Sequence, residues 1–310
     1  MKNATLTPDL LDHFNEFRPY VGNTPLLELK GFHSNPNVTI FAKAEWQQMG
    51  ASVKARPAYN IMRRAIQRGE LNRNVRLLDA SSGNTGIAYA IFAKAAGIPI
   101  TLCIPENASQ ERKDMLEILD AQLIFTSKFE GTDGAQRVAR ELKEKNPEDY
   151  FYADQYNNED NWKAHFNTTA SEILHQTYGE ITHFVAGLGT TGTFTGTARR
   201  LLEEKPEVTS IALQPETALH GLEGWKHLET AHVPGIFDLH LAHNIMTVDT
   251  LSAYGVLKKA HGQGLALSPS SAANLLGAIQ VADEIEEGTI VTIFADDATK
   301  YSEVINSILK

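Results

Sequence analysis

The sequence predicts an α/β fold of parallel strands joined by helical crossovers, on three observations. Short β-branched or apolar runs alternate with longer helix-period segments through almost the whole chain. Its 310 residues, 42% of them apolar, suffice for two domains with a large core. No solenoid-period repeat and no Pro- or Ser-rich linker interrupts them, so two domains would pack closely with ligand between them.

Taken in order, an apolar, β-branched run predicts a strand at 38–44. The small-residue turn Gly50-Ala51-Ser52 then opens a helix at 53–68. A strand at 76–79 runs through a Ser/Gly loop into a helix at 85–96. Lys94, Gly97 and Pro99 break the apolar stretch that continues into a strand at 100–104, so it reads as helix, turn and strand rather than a membrane span. A helix at 110–119, a strand at 123–126 and helices at 134–145 and 162–176 follow. The apolar strand at 183–186 enters a Gly/Thr loop and a helix at 191–204, with a strand at 210–213 and a helix at 251–261 beyond it. The Ser268-Pro269-Ser270-Ser271 cluster opens a helix at 271–285, and a strand at 290–295 and a helix at 302–309 end the series.

With 28 Lys+Arg against 38 Asp+Glu the chain carries a formal charge of −10. An acidic chain with scattered basic residues argues against a nucleic-acid surface, and small molecules become the expected partners. The single Cys103 allows no internal disulfide and no thiolate zinc site. The start, Met1-Lys2-Asn3-Ala4-Thr5, has no apolar run of a secretory signal, and a reducing, cytoplasmic setting is expected. Eleven histidines form no HExxH and no Gly-x-Ser-x-Gly elbow occurs, which sets metal catalysis and Ser/His hydrolysis aside.

Four loops carry the chemistry. In Gly50-Ala51-Ser52-Val53-Lys54-Ala55-Arg56-Pro57 a small-residue turn delivers Lys54 to a helix start, with no acidic residue within four positions. The helix macrodipole disfavours a cation there, lowers the amine pKa and makes it a better nucleophile toward an aldehyde. Ala80-Ser81-Ser82-Gly83-Asn84-Thr85-Gly86 places four hydroxyl or amide side chains at another helix start, a ready carboxylate site. Gly187-Leu188-Gly189-Thr190-Thr191-Gly192-Thr193 literally satisfies GxGxxG, and Glu216 stands where a dinucleotide enzyme places its ribose-binding acid. Three threonine hydroxyls suit a phosphate monoester better than a pyrophosphate, however. The motif also falls in the second half of the chain. Ser268-Pro269-Ser270-Ser271 alone reads as a helix cap.

Together these loops resemble the β-family, fold type II, of pyridoxal-phosphate enzymes. Gly22-Asn23-Thr24-Pro25-Leu26 is similar to that family's N-terminal signature and Ser52-Val53-Lys54 to its Schiff-base segment. Pro105-Glu106-Asn107, Asp154-Gln155-Tyr156-Asn157-Asn158, Thr182-His183-Phe184 and Pro234-Gly235-Ile236-Phe237 extend the likeness from about Tyr20 to about Tyr301. Within the family it is nearest to the cysteine synthases of the B-type, with cystathionine β-synthase cores next.

The resemblance implies two twisted, mostly parallel sheet domains with the active site in the cleft between them. Residues 48–158 would form a smaller mobile domain, and 1–47 with 159–310 a larger one. It implies pyridoxal phosphate held by Lys54, which would then remove the Cα proton. Gly187, Gly189, Thr190, Thr191, Gly192 and Thr193 would cradle the cofactor phosphate. Asn84 would meet its phenolic oxygen and Ser270 its pyridine nitrogen. Ser81, Ser82, Thr85 and Gln155 would take the substrate carboxylate, and Lys226 could read a phosphate leaving group. The implied reaction is β-replacement on O-acetylserine or O-phosphoserine by sulfide or a thiol, through an α-aminoacrylate, in a homodimer. Cystathionine, diaminopropionate or lanthionine synthesis uses the same residues. A catalytically silent relative and an NAD(P) oxidoreductase are the alternatives of other classes. Two segments depart from the family pattern. Pro269 and Ala272 stand in a loop that usually carries glycines, and Asp296–Tyr301 lacks the usual Gly and Arg before its Tyr.

Overall fold

The computed structural model describes residues 9–81 and 83–310. Among them are ten strands: β1 (Leu26–Glu28), β2 (Val38–Ala44), β3 (Arg76–Ala80), β4 (Ile100–Pro105), β5 (Gln122–Thr126), β6 (Tyr150–Tyr152), β7 (His183–Gly187), β8 (Thr209–Pro215), β9 (Asn244–Val248) and β10 (Gly288–Phe294). They form two separate sheets in two compact units. The first unit is Ala58–Asp154 with the N-terminal stretch up to Val21; the second is Gly22–Pro57 with Gln155–Lys310.

These boundaries differ from the sequence expectation at both ends, for a visible reason. The helix Leu10–Asn15 buries Phe14 against Tyr59 and Phe92, with ring centroids 5.3 and 5.9 Å away, which binds the N-terminal stretch to the first unit. Residues 48–57 belong to the second unit, where Val53 N–H donates to Ala295 O at 2.8 Å. There Lys300 Nζ also donates to the carbonyls of Gly50 and Ala51 at 2.9 Å each.

The first unit carries a parallel sheet of order β5-β4-β3-β6. From β3 the chain builds outward through β4 to β5, then returns to the other side of β3 as β6. Order therefore reverses between β3 and β6, and in open parallel sheets ligands bind beyond the carboxyl ends of strands at such a point. All six residues of β4 are buried, Cys103 among them, as the apolar run predicts.

The second unit has the order β1-β2-β10-β7-β8-β9, all parallel except the antiparallel edge strand β1. Strands β7, β8 and β9 progress one way while β10 and β2 lie on the other side of β7, so order reverses between β7 and β10. Alternate residues serve opposite faces: Ile290, Val185 and Leu213 pack in one buried cluster, Val291, Phe184 and Ala212 in another.

The strands absent from the sequence reading, β1, β6 and β9, all lie at sheet edges. Edge strands need no continuous apolar run, and each is short or half exposed. The single helix expected at 162–176 is two, Glu159–Asn167 and Thr169–Gln176. Thr168 (φ −127°, ψ −68°) breaks it, and its hydroxyl bonds back to Ala164 O at 2.7 Å.

Candidate active site

In the second unit three loops leave the carboxyl ends of β2, β10 and β7, beside the point of reversed order. After β2 the chain turns through Gly50 (φ +85°) and Ala51 (φ +45°) and delivers Lys54 immediately before the helix Ala55–Gln67. The expected helix start at 53 is thus two residues later. Burial pushes the Lys54 amine below the ordinary lysine pKa, against the attraction of Asp296 and then Glu45, which raise it. The helix end was expected to do this; desolvation is the larger cause. Asp296 is distant in sequence and Glu45 lies outside the four positions on either side of Lys54, so the apparent lack of an acidic neighbour holds only locally.

Beneath this turn lies a buried ion network that sequence reasoning missed. Arg56 is 1% exposed. It holds Glu45 through Nε (2.6 Å) and Nη2 (2.8 Å), and Glu172 through Nη1 (2.7 Å) and Nη2 (2.8 Å). Thr168 Oγ1 accepts from Nη1 at 3.0 Å. Lys43 Nζ spends its three protons on Thr24 O (2.6 Å), Glu172 Oε2 (2.8 Å) and Gln176 Oε1 (2.8 Å). Glu45 also accepts from Thr24 Oγ1 at 2.7 Å and Gln48 Nε2 at 2.8 Å. Two cations and two anions cancel, and the forked geometry ties β2, the Lys54 turn and the helix Thr169–Gln176 together. The signal was present: two charged residues, Lys43 and Glu45, at the end of an otherwise apolar strand.

The Gly/Thr loop follows β7. Gly187 N–H donates to Asn274 Oδ1 at 2.8 Å, and Leu188 N–H to Leu213 O at 2.8 Å. Its glycines make room for the protein itself. A Cβ on Gly187 would lie 2.1 Å from the Trp225 indole, one on Gly189 2.1 Å from Gly224 O, and one on Gly192 1.9 Å from Asn161 Oδ1. They do not serve the bare-backbone approach that a pyrophosphate reading of GxGxxG requires. Thr191 occupies the N-cap position of the helix Gly192–Glu204 in a left-handed conformation (φ +69°), with no side-chain cap hydrogen bond among the described residues. Strain of this kind collects at ligand sites. The first-turn N–H groups at this helix end have no intrahelical partners, and they carry the positive end of the dipole.

Beyond β10, Asp296 is fully buried, accepts the hydroxyl proton of Tyr301, and receives Ser271 Oγ on its carbonyl at 2.7 Å. The Ser268 cluster is a cap, as expected. Ser268 Oγ accepts from Ser271 N–H at 3.2 Å, and Pro269 occupies the first helical turn, where its fixed φ is favourable. The helix Pro269–Glu284 therefore starts two residues earlier than predicted. Pro269 suits this backbone, and Ser270 sits buried with Oγ 3.2 Å from Ser268 Oγ. Lys300, standing where an arginine was expected, anchors the Lys54 turn through Gly50 and Ala51. Gln155 is buried, and Lys226 lies with Nζ 5.0 Å from the centre of the Tyr156 ring.

In the first unit the loop after β3 holds Ser81, Asn84 and Thr85 at the start of the helix Asn84–Ala96. Ser81 Oγ accepts from Gly86 N–H at 3.1 Å, and a Cβ on Gly86 would lie 2.4 Å from Ser81 O, so only glycine lets the loop fold so tightly. Ser82 lies outside the described residues. Among those described, no group of His, Cys, Asp or Glu could hold a metal ion, and no helix is long and apolar enough to cross a membrane.

These groups suit pyridoxal phosphate. Thr191 Oγ1 is buried without a hydrogen-bond partner among the described residues, at a helix end that no side chain caps. Thr190 and Thr193 flank it, and Lys54 offers a desolvated amine to an aldehyde. The family model for pyridoxal-phosphate dependent enzymes matches residues 17–296. The cysteine synthase of Aquifex aeolicus is 45% identical over 289 residues, 91% of this chain and 88% of that protein. Cysteine synthase B of Escherichia coli is 36% identical over 284 residues, 91% and 92% of the two chains. The crystal structure of cysteine synthase from Entamoeba histolytica superposes with a TM-score of 0.86 at 28% identity, over 100% of this chain and 97% of that one. By fold, by its lysine and Gly/Thr loop, and by these matches, the chain belongs to the family of pyridoxal-phosphate dependent enzymes.

Proposed function

We propose that this enzyme replaces the β-substituent of O-acetylserine or O-phosphoserine with sulfide to form cysteine. The observation that carries the reading is a desolvated lysine amine at the carboxyl end of β2, in the same unit as an uncapped, threonine-rich helix start after β7. The cysteine synthase relatives support the choice of reaction.

When bound, pyridoxal phosphate supplies the electron sink that acidifies the substrate Cα–H. Lys54 Nζ is the group that holds the cofactor and then takes the Cα proton, a role suited to an amine whose pKa burial has lowered. The amides of Gly189 and Gly192, with the hydroxyls of Thr190, Thr191 and Thr193, hold the phosphate, whereas Gly187, whose N–H is spent on Asn274 Oδ1, shapes the start of the loop and is not a phosphate donor. Asn84 donates to the phenolic oxygen. Ser270 Oγ meets the pyridine nitrogen, and a hydroxyl cannot keep that nitrogen protonated as a carboxylate would, which favours β-elimination over transamination. Ser81, Ser82, Thr85 and Gln155 receive the substrate carboxylate. Lys226 meets the leaving group, where a phosphate would gain most from a cation. A cytoplasmic homodimer is the assembly we expect, to be checked by light scattering on the purified chain.

The test is absorbance followed by rates. The purified chain gives a visible band of lysine-bound pyridoxal that Lys54→Ala abolishes. O-acetylserine and O-phosphoserine, crossed with sulfide and homocysteine, give the highest rate with sulfide. A chain that takes up no pyridoxal phosphate ends the reading, and a preference for homocysteine replaces it with cystathionine synthesis.

A further inference from the structure

The helix Glu159–Asn167 crosses the helix Gly192–Glu204 at an unusually close approach, permitted by two glycines four residues apart. A Cβ on Gly196 would lie 2.1 Å from Trp162 O and 2.9 Å from His165 Cβ; one on Gly192 would strike Asn161 Oδ1. Asn161 and His165, also four apart, therefore share the face that enters this groove.

Each of the two touches one threonine of the Gly/Thr loop. Asn161 Nδ2 donates to Gln155 O at 2.7 Å and to Thr190 Oγ1 at 3.2 Å. The Gln155 carbonyl fixes this amide orientation, because a flipped Asn161 would set two acceptors against each other. Thr190 Oγ1 thus receives a proton from Asn161 and keeps its own to donate. His165 is 1% exposed, with Nε2 3.3 Å from Thr193 Oγ1 and Nδ1 2.9 Å from Thr169 Oγ1. Burial is the largest influence on its pKa, with Arg56 and Lys54 acting in the same direction, and together they hold it well below the ordinary histidine value, so the ring is neutral. A neutral imidazole has one donor nitrogen and one acceptor nitrogen.

We propose that His165 is a positioning residue that sets the direction of the Thr193 hydroxyl. As the Nε2–H tautomer it accepts from Thr169 Oγ1 at Nδ1 and donates to Thr193 Oγ1, which commits the Thr193 proton to the phosphate. Asn161 does the same for Thr190. The helix Glu159–Asn167 thereby turns two ambivalent hydroxyls into dedicated anion donors without placing a cation in the loop. This rests on the assignment of the Gly/Thr loop to the cofactor phosphate.

The experiment uses the whole chain. Nitrogen NMR of the holoprotein, with His165→Gln to assign the signal, reads the tautomer directly, and Nε2–H is expected. Apoprotein is titrated with pyridoxal phosphate and, separately, with pyridoxal, which lacks the phosphate. His165→Leu weakens pyridoxal phosphate about tenfold, as loss of an oriented donor to a charged group implies. It leaves pyridoxal unchanged. His165→Gln, whose amide nitrogen reaches the Nε2 position, restores most of the affinity. A protonated ring, the Nδ1–H tautomer, or equal losses for both ligands in His165→Leu overturns the proposal. Wild-type chain that binds no pyridoxal phosphate overturns the loop assignment itself, a distinct result.

Discussion

Replacing Arg56 by Met exposes the logic of the buried ion network. The substitution conserves much of the volume but removes four charged contacts, two to Glu45 and two to Glu172, all between 2.6 and 2.8 Å. The two carboxylates do not suffer equally. Glu172 keeps Lys43 Nζ at 2.8 Å, whereas Glu45 keeps hydrogen bonds only from the neutral donors of Thr24 and Gln48, with Lys43 acting on it at longer range. An uncompensated buried charge costs about 3–5 kcal/mol, so the loss should fall mainly on Glu45. Adding Glu45→Gln to Arg56→Met should recover about half of it, while adding Glu172→Gln takes away the charged hydrogen-bond partner of Lys43, leaves it only the longer-range attraction of Glu45, and should recover less. All three tryptophans, Trp46, Trp162 and Trp225, belong to the second unit, so their fluorescence reports its unfolding in urea. The expected shift in midpoint for Arg56→Met is roughly 1–2 M. A shift near zero, or a double variant with Glu45→Gln less stable than Arg56→Met, refutes the assignment of the cost to a stranded carboxylate.

Other outcomes follow from the same geometry. The Arg56 guanidinium holds Glu172 down to about 2 from an ordinary 4.5, so the stability it lends is complete above 4.5 and lost as pH falls toward 2. Glu172→Gln should flatten that acid limb in fluorescence-monitored titration, by on the order of 3 kcal/mol. Gly189→Ala forces a Cβ against the Gly224 carbonyl, a backbone atom that no rotamer change can move, and should weaken pyridoxal phosphate uptake at least ~10-fold in titration of the apoprotein. Gly255→Ala, inside the helix Thr250–Gly262 with nothing near its Cβ, should instead stabilise the second unit by about 0.5–1 kcal/mol in urea melts. Burial pushes the Cys103 thiol up to about 12, so a thiol-specific reagent should label it only when the chain unfolds; rapid labelling of native protein would contradict the buried position of β4.

Much of the site was legible because the residues that bind a cofactor sit in continuous loops at helix starts. Lys54, Ser81 to Gly86 and Gly187 to Thr193 each read as a short motif, and the buried strands between them announce themselves as apolar runs. The ion network was legible only at one end, where Lys43 and Glu45 close an apolar strand; Arg56 and Glu172 come from two other segments, and each of those charges alone reads as solvated. Asp296 belongs to a segment that departs from the family pattern, yet nothing local in that segment shows its influence on Lys54. His165 looked like an ordinary polar residue of a long helix, and Asn161 like a polar residue just before its start. Their meaning depends on a helix break at Thr168 and a groove between Gly192 and Gly196.

The single cysteine, the acidic balance, the alternation of strand and helix and the hydroxyl-rich loops are properties of the chain itself, and they determine an α/β fold with anion sites at helix ends. Periodicity is local, so it survives without tertiary information. Strand order, edge position and electrostatic pairing are not local. Only the folded chain decides that order reverses between β7 and β10, that two carboxylates oppose the desolvation of Lys54, and that the glycines of the Gly/Thr loop admit Trp225, the Gly224 carbonyl and Asn161. The reason is that a charge or a Cβ has its energy set by what surrounds it in space, and that surrounding is assembled from residues as far apart in sequence as Lys54 and Asp296.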